Sequence, residues 1–339
     1  MNKSKSSIWK YLNEVFPDVL SKLIIEYDYY LSGESHILGK CTSGILCISV
    51  LSDGRIVSGS TGNYLTIWNP QKHVTREYDN YDSKLVGHTD WVRSIAILST
   101  KSTEKIVSAS DDRTIKIWDP ETGTCDITLF GHSSWVKCIT IRSDDCNFGN
   151  KIVSGSIDKT IKIWNPTTGN CDVTLVDGRS VYFVAIVPNN QFKETKQIRI
   201  LSGSDDGIIK IWNSYTRTCE GTLDYKFQSL FAKPIYFNNN SYILFVRENE
   251  LRIFDILNED YNVNLIGHTA TVLCCTILPD YYGCRIVSGS NDKTLKIWNH
   301  SGELEQTLKG HECSVGCTAM LPNGNIVSGS YDGTIRIWT

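Results

Sequence analysis

The sequence lacks the features that mark membrane and secreted proteins. Only 8 of its 339 residues are proline and 2 are methionine. No apolar run reaches the length of about 18 residues that a transmembrane helix needs. The polar start, Met1–Ser7, is followed by no long apolar stretch, unlike a secretory signal. We therefore expect an intracellular protein, cytoplasmic with the nucleus as the alternative, and no membrane partner.

Cysteine is present, but not in the spacings that metal or redox sites use. The chain has 12 cysteines and no CxxC pair, and the closest approaches do not have zinc-finger spacing. Cys125, Cys171 and Cys219 recur at one place in the repeat described next. That recurrence predicts small buried hydrophobic residues rather than redox centres. We expect no bound metal and no cofactor.

What the sequence does contain is one unit that is repeated seven times. An isoleucine followed by an aromatic residue recurs at intervals of 50, 46, 48, 42, 44 and 40 residues between aromatics. Each interval is long enough for four short strands. The seven pairs are Ile67-Trp68, Ile117-Trp118, Ile163-Trp164, Ile211-Trp212, Ile253-Phe254, Ile297-Trp298 and Ile337-Trp338.

Within a unit the local pattern predicts β-strands. A β-branched run at 106–110 leads into the turn composition Asp111-Asp112-Arg113, and residues 114–118 then alternate with period two. The same order returns at 152–164, 286–298 and 326–338. Upstream of each run lies a glycine-histidine pair: Gly87-His88, Gly131-His132, Gly267-His268 and Gly310-His311.

These residues resemble the WD40-repeat family, whose units carry Gly-His near the start and Trp-Asp near the end. The closing dipeptide here is Trp118-Asp119 once and mostly Trp-Asn elsewhere, as at Trp68-Asn69. The resemblance implies an all-β fold, a seven-bladed β-propeller of the WD40 type over residues 34–339. Residues 34–39 resemble the segments that precede each Gly-His. We therefore predict that this strand closes the ring by pairing with 334–338, where the seventh unit lacks its outer strand.

The resemblance also implies a repeated structural tetrad. A histidine binds an aspartate on the neighbouring turn, and a serine links the histidine to the indole N–H of the tryptophan. Serine, histidine and aspartate are also the residues of a hydrolase triad. A single active site needs one such set, so four copies favour a structural role and a protein that is not an enzyme. The sets are His88/Ser108/Asp112/Trp118, His132/Ser154/Asp158/Trp164, His268/Ser288/Asp292/Trp298 and His311/Ser328/Asp332/Trp338.

Three units depart from the pattern. Unit one has Lys40 for histidine and Gly62 for aspartate, and unit four keeps Asp206 and Trp212 but has Asp177-Gly178-Arg179 where Gly-His should stand. Unit five has Glu248 and Phe254 for aspartate and tryptophan and no Gly-His. We interpret these as drift supported by neighbouring blades, or as a gap reshaped for a partner. Low stability is predicted for blade five.

The resemblance places the Gly-His and aspartate turns on one rim, with flanking residues facing solvent around the channel mouth. Trp91 and Trp135 stand at equivalent places in adjacent units and are candidate interface anchors, or pack over their own turns. The predicted partner-binding residues are Thr89, Trp91, Asp111, Ser133, Trp135, Ile157, Asp205, Asn291, Glu312 and Tyr331.

A nucleic-acid partner is not expected. Formal net charge is −3, and one basic residue stands before most of the Ile-aromatic pairs. One per unit distributes positive charge around the ring instead of forming a phosphate track. These residues are predicted to be solvated: Lys116, Lys162, Lys210, Arg252, Lys296 and Arg336.

Residues 8–30 differ from the repeats, because their apolar residues recur at helical spacing with Pro17 as an interruption. This segment, within the predicted helical extension 1–33, docks on the propeller or binds a partner. Residues 16–27 resemble the opening helix of an F-box. That likeness indicates an alternative function: a substrate receptor of a cullin-type ubiquitin ligase, which binds the ligase adaptor through residues 8–30.

The leading prediction is a non-catalytic scaffold for protein partners, a monomeric propeller within a complex.

Overall fold

The computed structural model describes residues 33–71, 81–100, 103–142, 149–187, 199–224, 232–237, 240–247, 249–255, 262–280, 283–299 and 301–339. In these ranges every regular element is a β-strand, and none of them contains a helix long and apolar enough to cross a membrane. The predicted N-terminal helices lie outside the described residues, so the division of the chain near residue 33 stays a prediction.

The strands form seven antiparallel sheets of four, which are the blades. Blades 1 to 6 each take four consecutive strands, from the innermost at the channel to the outermost. In chain order, the strand that precedes blade 1 is β1 (Ser35–Lys40). Blade 1 is β2 (Ile45–Val50), β3 (Ile56–Ser60), β4 (Tyr64–Trp68) and β5 (Tyr81–Val86); blade 2 is β6 (Val92–Ser99), β7 (Glu104–Ser110), β8 (Ile115–Trp118) and β9 (Cys125–Leu129). Blade 3 is β10 (Val136–Arg142), β11 (Lys151–Ser156), β12 (Thr160–Trp164) and β13 (Cys171–Val176); blade 4 is β14 (Val181–Val187), β15 (Arg199–Ser204), β16 (Ile208–Asn213) and β17 (Thr218–Asp224). Blade 5 is β18 (Ala232–Phe237), β19 (Asn240–Arg247), β20 (Glu250–Asp255) and β21 (Asn262–Ile266); blade 6 is β22 (Val272–Asp280), β23 (Gly283–Ser290), β24 (Thr294–Trp298) and β25 (Leu304–Lys309). Blade 7 joins β26 (Val315–Met320), β27 (Ile326–Ser330) and β28 (Thr334–Trp338) to β1.

This architecture confirms the predicted seven-bladed propeller. The hydrophobic core lies between successive blades, because each sheet is apolar on both faces. One cluster, for example, joins Ile115 and Leu129 of blade 2 to Val136, Ile152 and Trp164 of blade 3. Each blade therefore completes the core of its neighbour, and the stability of the ring depends on contacts between repeats.

Close packing between blades explains the Ser-Gly-Ser sequence of five of the seven second strands and the Ser-Ala-Ser sequence of a sixth, β7. A Cβ added at Gly155 would lie 2.5 Å from Cγ1 of Val181 in blade 4 and 2.8 Å from Sγ of Cys138. At Gly329 it would lie 2.5 Å from Cγ2 of Ile45 in blade 1. Only a residue with little or no side chain fits where the next blade's innermost strand crosses so closely.

The ring is closed by strands from the two ends of the described chain. Strand β1 pairs antiparallel with β28, with Ser35 opposite Trp338 and Lys40 opposite Thr334. The backbone adds hydrogen bonds from Gly33 N to Thr339 O at 3.1 Å and from Cys41 N to Gly333 O at 2.8 Å. This is the pairing expected from the sequence. It covers the edge of β28, which would otherwise present unpaired amides to other chains.

Side chains of β1 complete the core between blades 7 and 1. Leu38 is buried in a cluster with Ile335 and Ile337 of β28 and with Ile56 and Trp68 of blade 1. The next residue is Gly39, where an added Cβ would run into the indole ring of Trp68. One strand therefore contacts both the last blade and the first.

Blade 5 has its four strands in the same order as the others. Residue Glu248 lies outside the described residues, as do the details of the Phe254 side chain. The lower stability of this blade stays a prediction, which its rate of amide hydrogen exchange would test.

The expectation for three of the cysteines is wrong. Cys125, Cys171 and Cys219 are exposed, whereas Cys47, Cys274 and Cys317 on the innermost strands are buried. The recurring position lies at the start of the outermost strand, and no further sheet covers its outward face. A repeat position is shared by all blades, but its burial depends on how far from the channel it lies.

We predict that Leu38→Ala lowers the free energy of unfolding by about 2–5 kcal/mol, because it leaves a cavity at the closure. Ile37→Ala is the matched control: the Ile37 side chain, next to Leu38 on the same strand, is 44% exposed, so its cost should stay below about 1 kcal/mol. Chemical denaturation of the two variants measures this difference. Equal, small effects of both substitutions would contradict a core built on β1.

Candidate protein-interaction surface

The antiparallel order of the strands divides the connections between two rims. The upper rim, as defined here, carries the connection from each outermost strand to the next blade and the turn between the second and third strands. The lower rim carries the other two turns of each blade. The Gly-His pairs and the turn aspartates therefore share the upper rim, as the resemblance implied.

In blade 2 the predicted tetrad is assembled by three hydrogen bonds. His88 Nδ1 lies 2.6 Å from Asp112 Oδ2, and His88 Nε2 lies 2.7 Å from Ser108 Oγ. The indole of Trp118 donates Nε1–H to the same Ser108 Oγ at 2.8 Å. The serine hydroxyl thus accepts from the indole and is left to donate to the imidazole, whose Nδ1–H faces the carboxylate.

Three other blades repeat this arrangement around one serine each. Those serines are Ser154 in blade 3, Ser288 in blade 6 and Ser328 in blade 7. The distances from histidine Nε2 to serine Oγ and from indole Nε1 to serine Oγ are again 2.7 and 2.8 Å.

The contact between histidine and aspartate is also kept in these blades. The distance is 2.7 Å for His132–Asp158 and His268–Asp292, and 3.1 Å for His311–Asp332. In each case the carboxylate lies on the turn after the second strand. The tetrad therefore joins two turns of the upper rim to the third strand of its blade.

The tetrad serines lie in the interior of the blades. Each of the four has no solvent-exposed surface: Ser108, Ser154, Ser288 and Ser328. The imidazole on one side and the indole on the other cover the hydroxyl. Ser108, Ser154, Ser288 and Ser328 therefore link side chains inside the blades, as expected for a structural tetrad.

Blade 4 builds the same link from different residues. Ser202 Oγ accepts from Trp212 Nε1 at 2.8 Å and donates to Asp177 Oδ2 at 2.7 Å. Lys210 Nζ donates to the other carboxylate oxygen, Oδ1, at 2.5 Å and neutralises it. Asp177 therefore stands in for histidine, and the turn residue Asp206 is left out of the link. In blade 1, Trp68 Nε1 donates to Ser58 Oγ at 2.8 Å.

The tetrad aspartates are held in the charged state. Burial by itself would raise the pKa of Asp112, but hydrogen bonds from His88 and Thr114 outweigh it and hold that pKa well below its usual range. The same causes lower the pKa values of Asp158 and Asp332, and hydrogen bonds from Thr294 and His268 lower that of Asp292.

We predict that the free energy of unfolding falls as pH falls from about 5 toward 2. The unfolded aspartates take up protons near their ordinary pKa of about 3.9, whereas the folded ones resist protonation until a lower pH. Stability is therefore present above that value and lost below it. Burial also lowers the pKa of His268, which adds a loss of the same sign below about pH 6.5.

Urea denaturation at several pH values measures this dependence. Asp112→Asn removes one of the titrating groups, so its unfolding free energy should change less than that of the wild type over the same range. Identical pH dependence of the two proteins would contradict the assignment.

The described residues predicted to line the upper rim are found there, with one correction. Thr89, Ser133, Asp205, Asn291 and Glu312 are exposed, and Tyr331 is 45% exposed. Ile157 is half-buried. Asp111 was expected to face solvent, but it is only 5% exposed. The expectation was wrong for this residue because two cations from neighbouring strands cover its carboxylate.

The two cations, Arg93 and Lys137, lie against the rings of two exposed tryptophans. Trp91 and Trp135 are 41% and 47% exposed. Arg93 lies with its guanidinium carbon 4.5 Å from the centroid of the Trp91 ring, and Lys137 Nζ lies 4.5 Å from that of Trp135. Asp111 joins the two pairs, at 2.8 Å from Arg93 Nε and 3.3 Å from Lys137 Nζ. We call these five residues the Trp–cation bridge; it links blades 2 and 3.

Among the described residues, the bridge is found in one sector of the rim. In blades 2 and 3 the carbonyls of Trp91 and Trp135 accept backbone hydrogen bonds from the turn residues Asp111 and Ile157. In blades 1, 4, 6 and 7 the residues that accept the same bond are small: Gly44, Ser180, Thr271 and Ser314. The sequence prediction found the tryptophans but missed Arg93 and Lys137. Their signal was a basic residue two positions after each tryptophan.

Comparisons with known proteins agree with this geometry. The family model described as "WD domain, G-beta repeat" matches residues 80–119, 123–165, 169–213, 260–299 and 302–339. These ranges cover more than half of the chain, which therefore belongs to the WD40 family. The model does not match the regions of units one and five, whose sequences depart most from the pattern.

The chain is similar to several curated proteins. It is 26% identical over 348 residues to the nuclear distribution protein PAC1-1 of Uncinocarpus reesii, covering 95% of this chain and 65% of that one. It is 51% identical over 65 residues to the protein transport protein sec13 of Aspergillus clavatus, covering 17% of this chain and 22% of that one. Identity to the small ribosomal subunit protein RACK1y of Oryza sativa is 39% over 74 residues, with 21% and 22% covered. The chain thus spans less than two thirds of the length of each of these relatives.

Among solved structures, the chain is similar to the WD40 beta propeller domain of Doa1. The TM-score is 0.73 at 20% sequence identity, covering 90% of this chain and 97% of that one. This likeness shows the fold. In the described part of the chain, no group of three or more His, Cys, Asp or Glu side chains is arranged to hold a metal ion.

Proposed function

We propose that this protein is a non-catalytic scaffold that binds partner proteins on the upper rim, with Trp91 and Trp135 as the anchors. The observation that carries the proposal is the Trp–cation bridge, which holds two half-exposed indoles on neighbouring blades. Tryptophan and arginine are enriched among the residues that dominate binding energy at interfaces.

Rigidity supports this choice of surface. Each indole has a cation 4.5 Å from its ring centroid, and the cations are held by the buried Asp111. The tetrads of blades 2 and 3 fix the turns on which these residues stand. Side chains that are already ordered lose little entropy when a partner binds, so more of the contact energy appears as affinity.

The relatives support a scaffold without fixing its partner. Their names place them in nuclear distribution, protein transport and the small ribosomal subunit. One fold used in such different settings fits a ring whose rim side chains choose the partner. We propose that this chain acts in the same general way, as a monomer within a complex, in the cytoplasm.

The lower rim offers a weaker candidate surface. A cleft of about 560 Å³ between blades 1 and 2 is lined by polar residues that include Asp53, Arg55, Glu104, Lys105 and Glu121. Its charges already pair with each other: Arg55 binds Asp53 and Glu121, and Lys105 binds Asp119 and Asp126. Among the described residues that line this cleft, none is a large apolar side chain that could anchor a partner, so we favour the upper rim.

We predict that the double variant Trp91→Ala/Trp135→Ala loses the partners that the wild type captures, at an unchanged unfolding temperature. Affinity purification with quantitative mass spectrometry measures the captured set. Tyr215→Ala is the matched control, since this aromatic is 71% exposed on the lower rim. Loss of stability with the tryptophan variant, or loss of the same partners with the control, would contradict the proposal.

The ubiquitin-ligase alternative depends on residues 8–30, which lie outside the described residues. It stays a prediction. Recovery of a ligase adaptor in the same purification, lost on deleting residues 1–30, would support it.

A further inference from the structure

We infer that the partner binds this rim through an acidic peptide segment, whose carboxylates meet the cations of blades 2 and 3 while its apolar side chains pack on Trp91 and Trp135. This inference rests on the proposed function and adds the chemistry of the partner.

The first step is how the charges are arranged by depth below the rim surface. Four cations lie on the upper rim of these two blades: Arg93, Lys137, and the turn residues Arg113 and Lys159. The last two are exposed. The carboxylates that balance them lie beneath, since the side chains of Asp111, Asp112 and Asp158 are only 4%, 5% and 5% exposed. Asp90 is the fourth carboxylate, and its Oδ1 accepts from the Trp91 amide. The sector is neutral in sum. Its exposed charges are the cations Arg113 and Lys159, while the side chains of Arg93 and Lys137 are 22% and 13% exposed and Asp90 is half-buried.

The second step is the shortage of negative charge around Lys137. One carboxylate, Asp111, serves both Arg93 and Lys137. Burial, and then the charge of Arg93, lower the pKa of Lys137 despite Asp111 and Asp90. An added carboxylate next to this pair would offset the repulsion between Arg93 and Lys137 and favour the charged form of Lys137, so binding of an acidic group is favoured over binding of a neutral one.

The third step is the apolar surface beside the cations. Besides the exposed rings of Trp91 and Trp135, the same rim carries Phe130, which is 74% exposed at the outer end of the connection that leads to Trp135. A nucleic acid would need many phosphate contacts, and its affinity would depend on a wide basic track. Four cations among large apolar side chains, over a layer of carboxylates, fit a peptide better.

The direct test is fluorescence anisotropy with a labelled peptide of alternating leucine and glutamate. A peptide with glutamine for glutamate and a thymidine oligonucleotide serve as comparison probes. We expect the glutamate peptide to bind at least about tenfold more tightly than the glutamine peptide, and its affinity to fall as salt rises.

The variant Arg93→Gln/Lys137→Gln should weaken binding of the glutamate peptide at least about tenfold. The matched control is Arg55→Gln/Lys105→Gln, which removes an ion-paired arginine and lysine from the lower rim and should leave the affinity unchanged. If the first variant does not fold, Arg113→Asn/Lys159→Asn replaces it. These residues have φ of 72° and 69°, which asparagine tolerates. A weaker affinity for the glutamate peptide is expected there as well.

Three results would overturn the inference: no binding of the glutamate peptide, equal binding of the glutamine peptide, or tighter binding of the oligonucleotide. If capture of cellular partners still depends on Trp91 and Trp135, such a result contradicts the acidic peptide as the ligand but not the proposed scaffold function. Capture that is independent of both tryptophans contradicts the proposed function itself.

Discussion

The structure depends on closure of the ring by β1 against β28. The core of each blade is completed by the next blade, so an open ring would leave two faces without a partner. The closing cluster contains Leu38 from one end of the described chain, Ile337 from the other, and Trp68 from the first blade. The closing contact is non-covalent: β1 is hydrogen-bonded to β28, and residues of blade 7 such as Cys317 and Val327 also pack directly against Ile45 of blade 1.

The proposed anchors, Trp91 and Trp135, lie on connections between blades rather than within strands. A turn alone has few contacts that hold its conformation, and here the tetrads supply such contacts. In blade 2, Asp112 receives hydrogen bonds from His88, from the amide of Thr89 and from Thr114. The carboxylate therefore ties the incoming connection to the turn that follows the second strand. On this fixed base Trp91 and Trp135 differ from their small equivalents in other blades, and the rim gains one distinctive sector from a uniform scaffold.

Much of the fold could be predicted from sequence because the repeat reports the same local structure seven times. The Ile-aromatic pairs marked the third strands, and the Gly-His pairs marked the connections between blades. The tetrad contacts fell where the family resemblance placed them. Blade 4 shows the limit of such reasoning: Asp177 takes the place of histidine because Lys210, distant in sequence, supplies the balancing charge.

The wrong predictions concern the burial and the neighbours of side chains, which a pattern within one unit does not reveal. Asp111 is buried because Lys137 comes from the adjacent blade. Cys125, Cys171 and Cys219 are exposed because they lie on outermost strands. Arg93 and Lys137 were missed because basic residues recur in most units, and the spacing of two residues after a tryptophan did not by itself reveal the contact with its indole.

The most direct test of the account is amide hydrogen exchange of residues 35–40 in the intact protein. If these residues close the ring, their amides exchange as slowly as those of residues 334–338, because both are released only when the whole propeller unfolds. Rapid exchange of residues 35–40, with residues 315–338 still protected, would show a ring that holds without its closing strand and would contradict the account.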